Sequence, residues 1–240
     1  MAAILAEGAG ENRVVICVVV PIKAFSSAKT RLSARFDSEQ RACLAQASAE
    51  RVLAAVGSCI PVDMRIAVVE TDAAAKMARH HGFDVIQRTD IFGQSAAVGA
   101  GFHAAIERGA TNILTVSADV PLVRPKDIEE ILKPRGPVLV LVSDREGRGT
   151  NALRLDPAVE MHLHFGPDSL PLHRREAEAL KLPVKVIDNP RVRIDIDTPE
   201  DIEALEVSGP DGRRLLIEAG QIRADQVRDN IWMPRGQRSY

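Results

Sequence analysis

The chain has 240 residues, of which 45% are hydrophobic and 27% charged, and its formal net charge is −2. This length suffices for one large domain or two small ones, and the composition predicts a real core. A charge near zero gives no bulk attraction for nucleic acid, and the sequence has no apolar run of the ~18 residues that a membrane span needs.

The start of the chain and its cysteines favour a cytoplasmic protein. Residues 1–13 lack the basic flank and long apolar stretch of a signal peptide, and we interpret them as a flexible leader. Cys17, Cys43 and Cys59 show no CxxC spacing, and the patterns around Cys17 and Cys43 indicate core positions. Unpaired cysteines are typical of a reducing compartment.

Strand-like and helical segments alternate along most of the chain. The predicted strands are 14–20, 64–69, 84–87, 112–117, 138–143, 151–155 and 184–187. The predicted helices are one capped by Asp37 with Gln40, then 73–80, 96–107, 125–132, 169–180 and 199–205. This alternation predicts a mostly parallel sheet with helices on both faces, and such sheets bind ligands outside the carboxyl ends of their strands.

The pattern weakens from residue 206 onward. The segment 206–240 holds one helical candidate, 214–227, and the only tryptophan, Trp232. We interpret it as a C-terminal extension of unknown role, which packs either on the domain or on a second subunit.

The loop after the first strand is basic. The stretch PIKAFSSAKTRL carries Lys23, Lys29 and Arg31, and it has neither the GxGxxG of dinucleotide-binding proteins nor the GxxxxGK[ST] of a P-loop. Cations at the carboxyl end of a strand suit a polyphosphate, and a solvated basic loop is the alternative.

Acidic residues follow two later segments. Asp119 comes after the strand that ends TVSADVPLV, where it could bind Mg²⁺ or form a turn. In VRIDIDTPEDIEAL, Asp195 and Asp197 alternate with isoleucines, which predicts that both project from one face of a strand, and Thr198 is predicted to cap the next helix. Two like charges on one face indicate a metal site or an exposed acidic edge.

Two further stretches carry small polar residues. REGRGTNAL presents Thr150 and Asn151 after a turn, and HFGPDS places Gly166 and Ser169 at a predicted helix start. Backbone N–H groups at a helix start can bind an anion, and an ordinary turn with Ser169 as the cap is the alternative.

Five stretches in this order, PIKAFSSAKTRL, SADVPL, REGRGTNAL, FGPDS and DIDTPEDI, resemble the guanylyltransferases of coenzyme F-420 biosynthesis, the CofC/FbiD family. The likeness covers residues 14–205. It implies a single α/β/α nucleotidyltransferase domain there, Rossmann-like and of GT-A type, with a mostly parallel sheet. It also implies that GTP condenses with 2-phospholactate, phosphoenolpyruvate or 3-phosphoglycerate and that pyrophosphate is released.

The resemblance implies a role for individual residues. The catalytic residues that it implies are Lys23, Lys29 and Asp119. The nucleotide-binding residues that it implies are Pro21, Lys23, Lys29, Arg31, Gln94 and Ser95, the last two at the base. The acceptor-binding residues that it implies are Thr150, Gly166 and Ser169. The Mg²⁺ ligands that it implies are Asp119, Asp195 and Asp197.

Three other functions remain open from the sequence. Molybdenum-cofactor nucleotidyltransferases usually have a glycine-rich loop after the first strand, which is missing here, and the stretch ADV lacks the second acid of a glycosyltransferase DxD. A non-catalytic nucleotide-binding module is the third alternative. The expected partners are GTP, a phosphorylated carboxylic acid, a downstream transferase that accepts the guanylylated product and a second copy of the chain in a homodimer, but no nucleic acid and no membrane.

Overall fold

A computed structural model describes residues 13–90, 93–155 and 161–220 of the chain. The strands of this part are β1 (Ile16–Ile22), β2 (Met64–Val69), β3 (Asp84–Gln87), β4 (Asn112–Val116), β5 (Leu139–Ser143), β6 (Thr150–Leu155) and β7 (Val184–Val186). Its helices are α1 (Ser38–Gly57), α2 (Asp72–His80), α3 (Gln94–Glu107), α4 (Pro125–Leu132), α5 (Ser169–Ala179), α6 (Pro199–Val207) and α7 (Pro210–Glu218). None of these helices is both long and apolar enough to cross a membrane.

The strands form one seven-stranded sheet with the order β3-β2-β1-β4-β6-β5-β7. Neighbouring strands are parallel except at β6, which runs antiparallel to both β4 and β5. The predicted mostly parallel sheet is therefore confirmed. Because β6 is reversed, it begins at the edge where β4 ends, and Ser117 N donates to Asn151 O at 2.9 Å. This reversal places Thr150 and Asn151 beside the loop that follows β4.

Both faces of the sheet are covered by helices, because alternate residues of a buried strand point to opposite faces. Val18 and Val20 of β1 pack with residues of α1, α2 and α4. Cys17 and Val19 pack on the other face with residues of α3 and α5. All four side chains are fully buried, which explains why β1 is a continuous apolar run.

A third apolar cluster joins α1, α6 and α7 and includes the loop that precedes α6. Leu44 of α1 and Leu215 of α7 belong to it, together with Ile196. Ile196 stands between the two aspartates of that loop and is fully buried. The cluster therefore anchors the acidic loop to the C-terminal helices.

The prediction that Asp195 and Asp197 project from one face of a strand is wrong, because the structure has no strand at this segment. The chain turns after β7, where the side chain of Asn189 accepts hydrogen bonds from the backbone N–H groups of Arg191 at 3.0 Å and Val192 at 3.1 Å. Such local bonds compete with the ladder of a sheet. The isoleucine between the two aspartates is still buried, but it lies in a loop.

Two helix starts follow the signals in the sequence. The side chain of Asp37 accepts from Gln40 N at 2.8 Å, and the side chain of Gln40 accepts from Asp37 N at 3.0 Å, which confirms the predicted capping box of α1. Thr198 is the N-cap residue of α6, as predicted, and Pro199 is its first residue. The carboxylate of Asp201 accepts from Thr198 N at 2.8 Å.

The predicted core positions of the two cysteines had different outcomes. Cys17 is buried, as predicted, but Cys43 is exposed, so its predicted core position is wrong. Cys43 precedes the fully buried Leu44 on α1. One residue rotates a helix position by about 100°, which is enough to leave the apolar stripe.

The first part of the C-terminal extension packs on the domain. The predicted boundary after residue 205 lies inside α6, and α7 contributes to the third apolar cluster. Arg51 of α1 also pairs with Glu218 of α7 at 2.9 Å. The predicted helix 214–227 overlaps the end of α7, whereas its last seven residues, Trp232 and the predicted leader up to residue 12 lie outside the described residues.

Candidate active site

Three aspartates from two distant parts of the chain meet at the carboxyl end of β4. Asp119 lies in the loop after β4, whereas Asp195 and Asp197 lie in the loop before α6. One carboxylate oxygen of each lies within 4.8 Å of the other two. The backbone N–H of Ile196 donates to the carbonyl oxygen of Asp119 at 3.2 Å, which joins the two loops. The structure thus brings together the residues that were predicted as metal ligands.

Lys29 places its ammonium group among these carboxylates. Its Nζ lies 2.9 Å from Asp119 Oδ2 and 3.3 Å from Asp197 Oδ1, and only 5% of its side chain is exposed. The backbone of Lys29 has φ 59°, in the left-handed region that residues with a Cβ rarely adopt. It lies between two short 3₁₀ turns, at residues 25–27 and 30–32. The basic loop is therefore fixed at this point by a partly buried ion pair.

Burial and neighbouring charges change the ionisation of the cluster. Burial, together with the Asp119 carboxylate, raises the pKa of Asp195 to about 7. Burial also raises the pKa of Asp197, although the Lys29 ammonium opposes this effect. Burial alone would raise the pKa of Asp119, but the Lys29 ammonium and the hydrogen bonds to its carboxylate hold that pKa below its ordinary value. The cluster therefore carries more negative charge than one lysine balances.

A divalent cation would fit this cluster. Asp119 Oδ1 is buried and has no hydrogen-bond partner within the described part of the chain. The raised pKa of Asp195 reflects a site in which further positive charge would be stabilising. Carboxylate oxygens are the ligands that hard divalent cations take in proteins. The three aspartates could therefore hold a metal ion.

Neighbouring polar groups orient the two later aspartates. The amide Nδ2 of Asn151 donates to Asp195 Oδ1 at 3.1 Å and to the carbonyl oxygen of Val192 at 3.0 Å. The carboxylate of Asp201 accepts from the backbone N–H of Asp197 at 3.0 Å. The first residues of β6 and of α6 thereby fix the acidic loop from both sides.

A cavity of about 330 Å³ opens on one side of the aspartates, at the carboxyl ends of β1 and β2. Pro21, Lys23, Lys29 and Gln94 line it, so four of the residues predicted to bind the nucleotide share one wall. Lys23 is exposed, whereas Lys29 is held by the aspartates. We call this space the first cavity.

A second cavity of about 260 Å³ lies on the other side of the aspartates. Thr150, Gly166 and Ser169, the residues predicted to bind the acceptor, all line it. Arg31 also lines this second cavity, although it was predicted to bind the nucleotide together with the lysines. Its exposed side chain places a cation on the predicted acceptor side.

The two cavities share part of their walls. Gln94, Ser117, Asp119 and Asp197 line both of them. A molecule in one cavity would therefore face a molecule in the other across carboxylates that could hold a metal. Holding two reactants next to each other in this way is what a group-transfer site requires.

Ser95 is not brought to the first cavity, although it was predicted to contact the base there. Its Oγ accepts from the backbone N–H of Phe165 at 2.8 Å. This bond ties the start of α3 to the loop that precedes α5. Ser95 thus supports the loop that carries Gly166.

Comparison with known proteins decides the family. The family model described as guanylyl transferase, CofC-like, matches residues 16–215. The chain belongs to this family. A phosphoenolpyruvate guanylyltransferase of Conexibacter woesei is 38% identical, over 78% of this chain and 85% of that protein. A 3-phospho-D-glycerate guanylyltransferase of Phenylobacterium zucineum is 32% identical, over 82% of this chain and 91% of that protein.

A solved structure shows the same fold as this CofC-like protein. It comes from Desulfovibrio desulfuricans G20 and is provisionally assigned as a nucleotide-diphospho-sugar transferase. Its TM-score is 0.70 at 14% identity, with 90% of this chain and 98% of that chain covered. This likeness concerns the fold alone, and together with the sheet order it confirms the predicted α/β nucleotidyltransferase fold. The CofC/FbiD resemblance is likewise confirmed, and the protein is a nucleotidyltransferase enzyme.

Two charged residues of this CofC-like enzyme line the first cavity without having been predicted, namely Glu70 and Arg88. Both directly follow parallel strands, β2 and β3. That position was itself a signal, because functional groups gather at the carboxyl ends of such strands. Glu70 accepts from the backbone N–H of Ala24 at 2.8 Å and so holds the start of the basic loop.

His173 was also missed. It lies on α5, and its Nδ1 is 3.1 Å from Thr150 Oγ1. The sequence contained one signal, because His173 falls on the buried face of α5 together with Leu170 and Ala177. A histidine at such a position pairs with another buried polar group, and only the fold shows which one.

Proposed function

We propose that this enzyme transfers GMP from GTP to the phosphate of a small phosphorylated carboxylic acid and releases pyrophosphate, as a step of coenzyme F-420 biosynthesis. GTP binds in the first cavity and the acid in the second. The observation that carries this proposal is that Asp119 and Asp197 line both cavities. The class of acceptor follows from the relatives named for phosphoenolpyruvate and 3-phospho-D-glycerate.

The charges that line the first cavity support a triphosphate there. Lys23 is exposed in its wall, and Lys29 stands at the boundary with the aspartates. Two unit charges about 4 Å apart interact by ~4 kcal/mol at an effective dielectric of ~20, so a polyanion needs such cations close by.

The second cavity suits a smaller anion with a phosphate group. Ser169 begins α5, and the backbone N–H groups of a helix's first turn favour an anion. Thr150 adds a hydroxyl group and Arg31 a guanidinium group to the same wall. Hydrogen bonds from charged donors are the strongest that a phosphate receives.

In the proposed reaction, a phosphate oxygen of the acid attacks the α-phosphorus of GTP. A new P–O–P bond forms between the two, the bond from the α-phosphorus to the bridging oxygen breaks, and pyrophosphate leaves. The attacking oxygen is already an anion, so the reaction requires no general base. We propose that Asp119, Asp195 and Asp197 hold Mg²⁺, which when bound offsets negative charge on the attacking and leaving oxygens. The protein's own part is to position two anions and balance their charge.

A pyrophosphate-release assay tests the proposal. The purified protein is incubated with Mg²⁺, GTP and, in turn, phosphoenolpyruvate, 2-phospholactate or 3-phosphoglycerate. We expect release that requires both GTP and one of the acids, and a guanylylated product trapped by the downstream transferase that consumes it. CTP or ATP in place of GTP is the control. The proposal would be contradicted if none of the three acids led to pyrophosphate release, or if CTP supported as much release as GTP.

The Asp119→Asn substitution tests the metal site. We expect it to lower kcat by orders of magnitude without changing the fold, because the amide removes one of the anionic oxygen ligands. Asp84→Asn is the matched control, since Asp84 is exposed at the start of β3, at the opposite end of the parallel strands. Near-normal turnover of Asp119→Asn with Mg²⁺ would show that its role is misassigned.

Three further expectations belong to the same proposal. We place the reaction in the cytoplasm, where GTP is made, and the three free cysteines support a reducing compartment. A downstream transferase would accept the guanylylated product and use its activated phosphate in the next reaction. The homodimer stays a prediction from the sequence.

A further inference from the structure

We propose that His173 is a positioning residue, which fixes the hydroxyl of Thr150 as a hydrogen-bond donor to the phosphorylated acid in the second cavity. The inference rests on the proposed function, because it concerns how the acceptor of that reaction is held. It assigns a role to a side chain that lines neither cavity.

Both ring nitrogens of His173 have a partner. The side chain is fully buried on α5. Its Nδ1 lies 3.1 Å from Thr150 Oγ1, and its Nε2 accepts from the backbone N–H of His164 at 2.9 Å. The ring of Phe165 packs edge-on against it, with centroids 5.0 Å apart. The imidazole is therefore held in one orientation.

These partners determine where the proton of the ring lies. A backbone N–H can only donate, so Nε2 of His173 has to be the nitrogen without a proton. In the neutral ring the proton is then on Nδ1, which donates to Thr150 Oγ1. The other tautomer would place two N–H groups against each other at 2.9 Å.

The ring is neutral under ordinary conditions. Burial, together with the nearby His164, lowers the pKa of His173 to about 4, although Glu176 opposes this effect. Oε1 of Glu176 lies at hydrogen-bond distance, 2.9 Å, from Nε2 of His164. Protonation of His173 would also remove the acceptor that the His164 N–H requires.

The direction of this bond determines what Thr150 can do in the cavity. A threonine hydroxyl has one proton to donate and two lone pairs that accept. Because Nδ1–H of His173 uses a lone pair, the proton of Thr150 remains for another partner, and Thr150 lines the second cavity. A phosphate oxygen only accepts, so a hydroxyl already set as a donor matches it.

Two substitutions at position 173 separate this role from a merely structural one. In His173→Asn the side-chain amide reaches roughly the position of Nδ1 and can still donate to Thr150, but it leaves the His164 N–H unpaired. In His173→Gln the amide reaches roughly the position of Nε2 and can still accept from His164, but Thr150 loses its donor. A structural role alone would make the glutamine variant the milder one.

The measured quantity is KM for phosphoenolpyruvate and for GTP, by pyrophosphate release with Mg²⁺. We expect His173→Gln to raise the KM for phosphoenolpyruvate by about 10- to 100-fold, the range for one hydrogen bond to a charged group, with the KM for GTP unchanged. We expect His173→Asn to stay within about threefold of the wild type. Equal effects of the two variants, or effects on both substrates, would overturn the proposal.

The Thr150→Val background provides the matched control, because valine keeps the shape of threonine without the hydroxyl. If His173 acts through Thr150, the difference between the asparagine and glutamine variants disappears in this background, since coupled residues are not additive. A difference that persists unchanged would show that His173 acts by another route.

The tautomer is also measurable in the wild-type protein, even if a variant fails to fold. With ¹⁵N-labelled histidine, we expect His173 to carry its proton on Nδ1 and to remain neutral at pH 7. A proton on Nε2 would overturn the inference. Absence of pyrophosphate release by the wild type would instead contradict the proposed function, so the two failures are distinguishable.

Discussion

At the scale of single residues, Lys29 is the group that ties the basic loop to the acidic cluster. Its ammonium lies within 3.3 Å of two of the three carboxylates. Burial would lower the pKa of Lys29, but the carboxylates of Asp119 and Asp197 and their hydrogen bonds to its ammonium raise that pKa, so the lysine stays charged. A cation entering the cluster would meet this positive charge, so the lysine and a metal compete for the same oxygens.

We therefore expect Lys29→Met to bind Mg²⁺ more tightly than the wild type in the absence of nucleotide, by roughly tenfold, because a repelling charge is removed. We expect its kcat to fall, because the charge is also lost from the first cavity. Calorimetric titration with Mg²⁺ measures the first effect. Lys23→Met is the control, since Lys23 lines the same cavity but is exposed, and its Mg²⁺ affinity should not change. Weaker Mg²⁺ binding by Lys29→Met would refute this account.

The buried imidazole of His173 makes stability depend on pH. Burial lowers its pKa from 6.5 to about 4, and His164 and Glu176 are the titratable groups beside it. Between these values the unfolded chain binds more protons than the folded one, so the free energy of unfolding falls as pH falls. The contribution of His173 to the free energy of unfolding is fully present above pH 6.5, and it amounts to about 3 kcal/mol for this shift of the pKa.

Denaturant unfolding between pH 4 and pH 7.5 checks this pH dependence. We expect the wild type to lose more stability towards pH 4 than His173→Asn, which has no titrating ring at this position. Parallel curves for the two proteins would mean that the imidazole titrates equally in the folded and unfolded states.

Most residues of the site could be predicted because they stand in loops directly after strands, where chemistry gathers in a parallel sheet. Lys23, Asp119 and Thr150 were predicted in this way or through their motifs, and they line the two cavities. His173 was not, because its role depends on which polar group the buried face of α5 meets. Arg31 lines the second cavity, which spacing along a loop could not show, and its predicted contact with the nucleotide stays a prediction.

At the scale of secondary structure, the alternating strands and helices were predictable because long apolar runs and helical periodicity reflect burial. Apart from the helix predicted at 214–227, which overlaps α7, the described bounds differ from the prediction by at most two residues. The segment before α6 was not predictable as a loop, since alternating Ile and Asp is also the pattern of a strand. In the structure the side chain of Asn189 accepts hydrogen bonds from the following backbone N–H groups, which favours a turn over a strand.

Helix α3 rests on the sheet through a glycine. A Cβ on Gly101 would lie 2.4 Å from Cγ1 of Val19 and 3.2 Å from Cγ2 of Val68. Both valines are buried in the middle of the sheet, where the packing has no room to yield. Close approach of α3 to β1 and β2 therefore requires glycine at this position.

We expect Gly101→Ala to lower the free energy of unfolding by about 1–3 kcal/mol, through overpacking. Gly99→Ala is the matched control on the same helix, since a Cβ there has no neighbouring atom within 4 Å among the described residues. It should stabilise the protein by up to about 1 kcal/mol, because alanine is the better helix former. Denaturant titration measures both, and a neutral Gly101→Ala would mean that α3 shifts freely on the sheet.

At the scale of the whole molecule, the C-terminal helices and the active site depend on one another. Leu215 of α7 and Ile196 of the acidic loop belong to the same apolar cluster, and both are fully buried. The loop has no strand to hold it, so this cluster replaces the support that a sheet would give. Loss of the packing of α7 should therefore also displace the aspartates of the acidic loop.

We expect Leu215→Ala to lower the free energy of unfolding by about 2–5 kcal/mol and to weaken Mg²⁺ binding, because it opens a cavity under the acidic loop. Val207→Ala is the control at the end of α6, since 83% of Val207 is exposed, and its effect should stay within about 0.5 kcal/mol. Thermal unfolding and Mg²⁺ titration measure the two effects. Equal stability of both variants would mean that α7 is dispensable for the domain.

At the reversed strand β6, the part of the chain that lines the first cavity meets the part that lines most of the second. Residues up to 119, with Asp197 as the one later member, line the first cavity, whereas the second is lined mostly by residues 144–201. Replacing the later stretch of chain could therefore change which acid the enzyme accepts without changing which nucleotide it binds. A hybrid that joins residues 1–138 of this protein to the corresponding later stretch of a relative with another acceptor should inherit that relative's acid as a block.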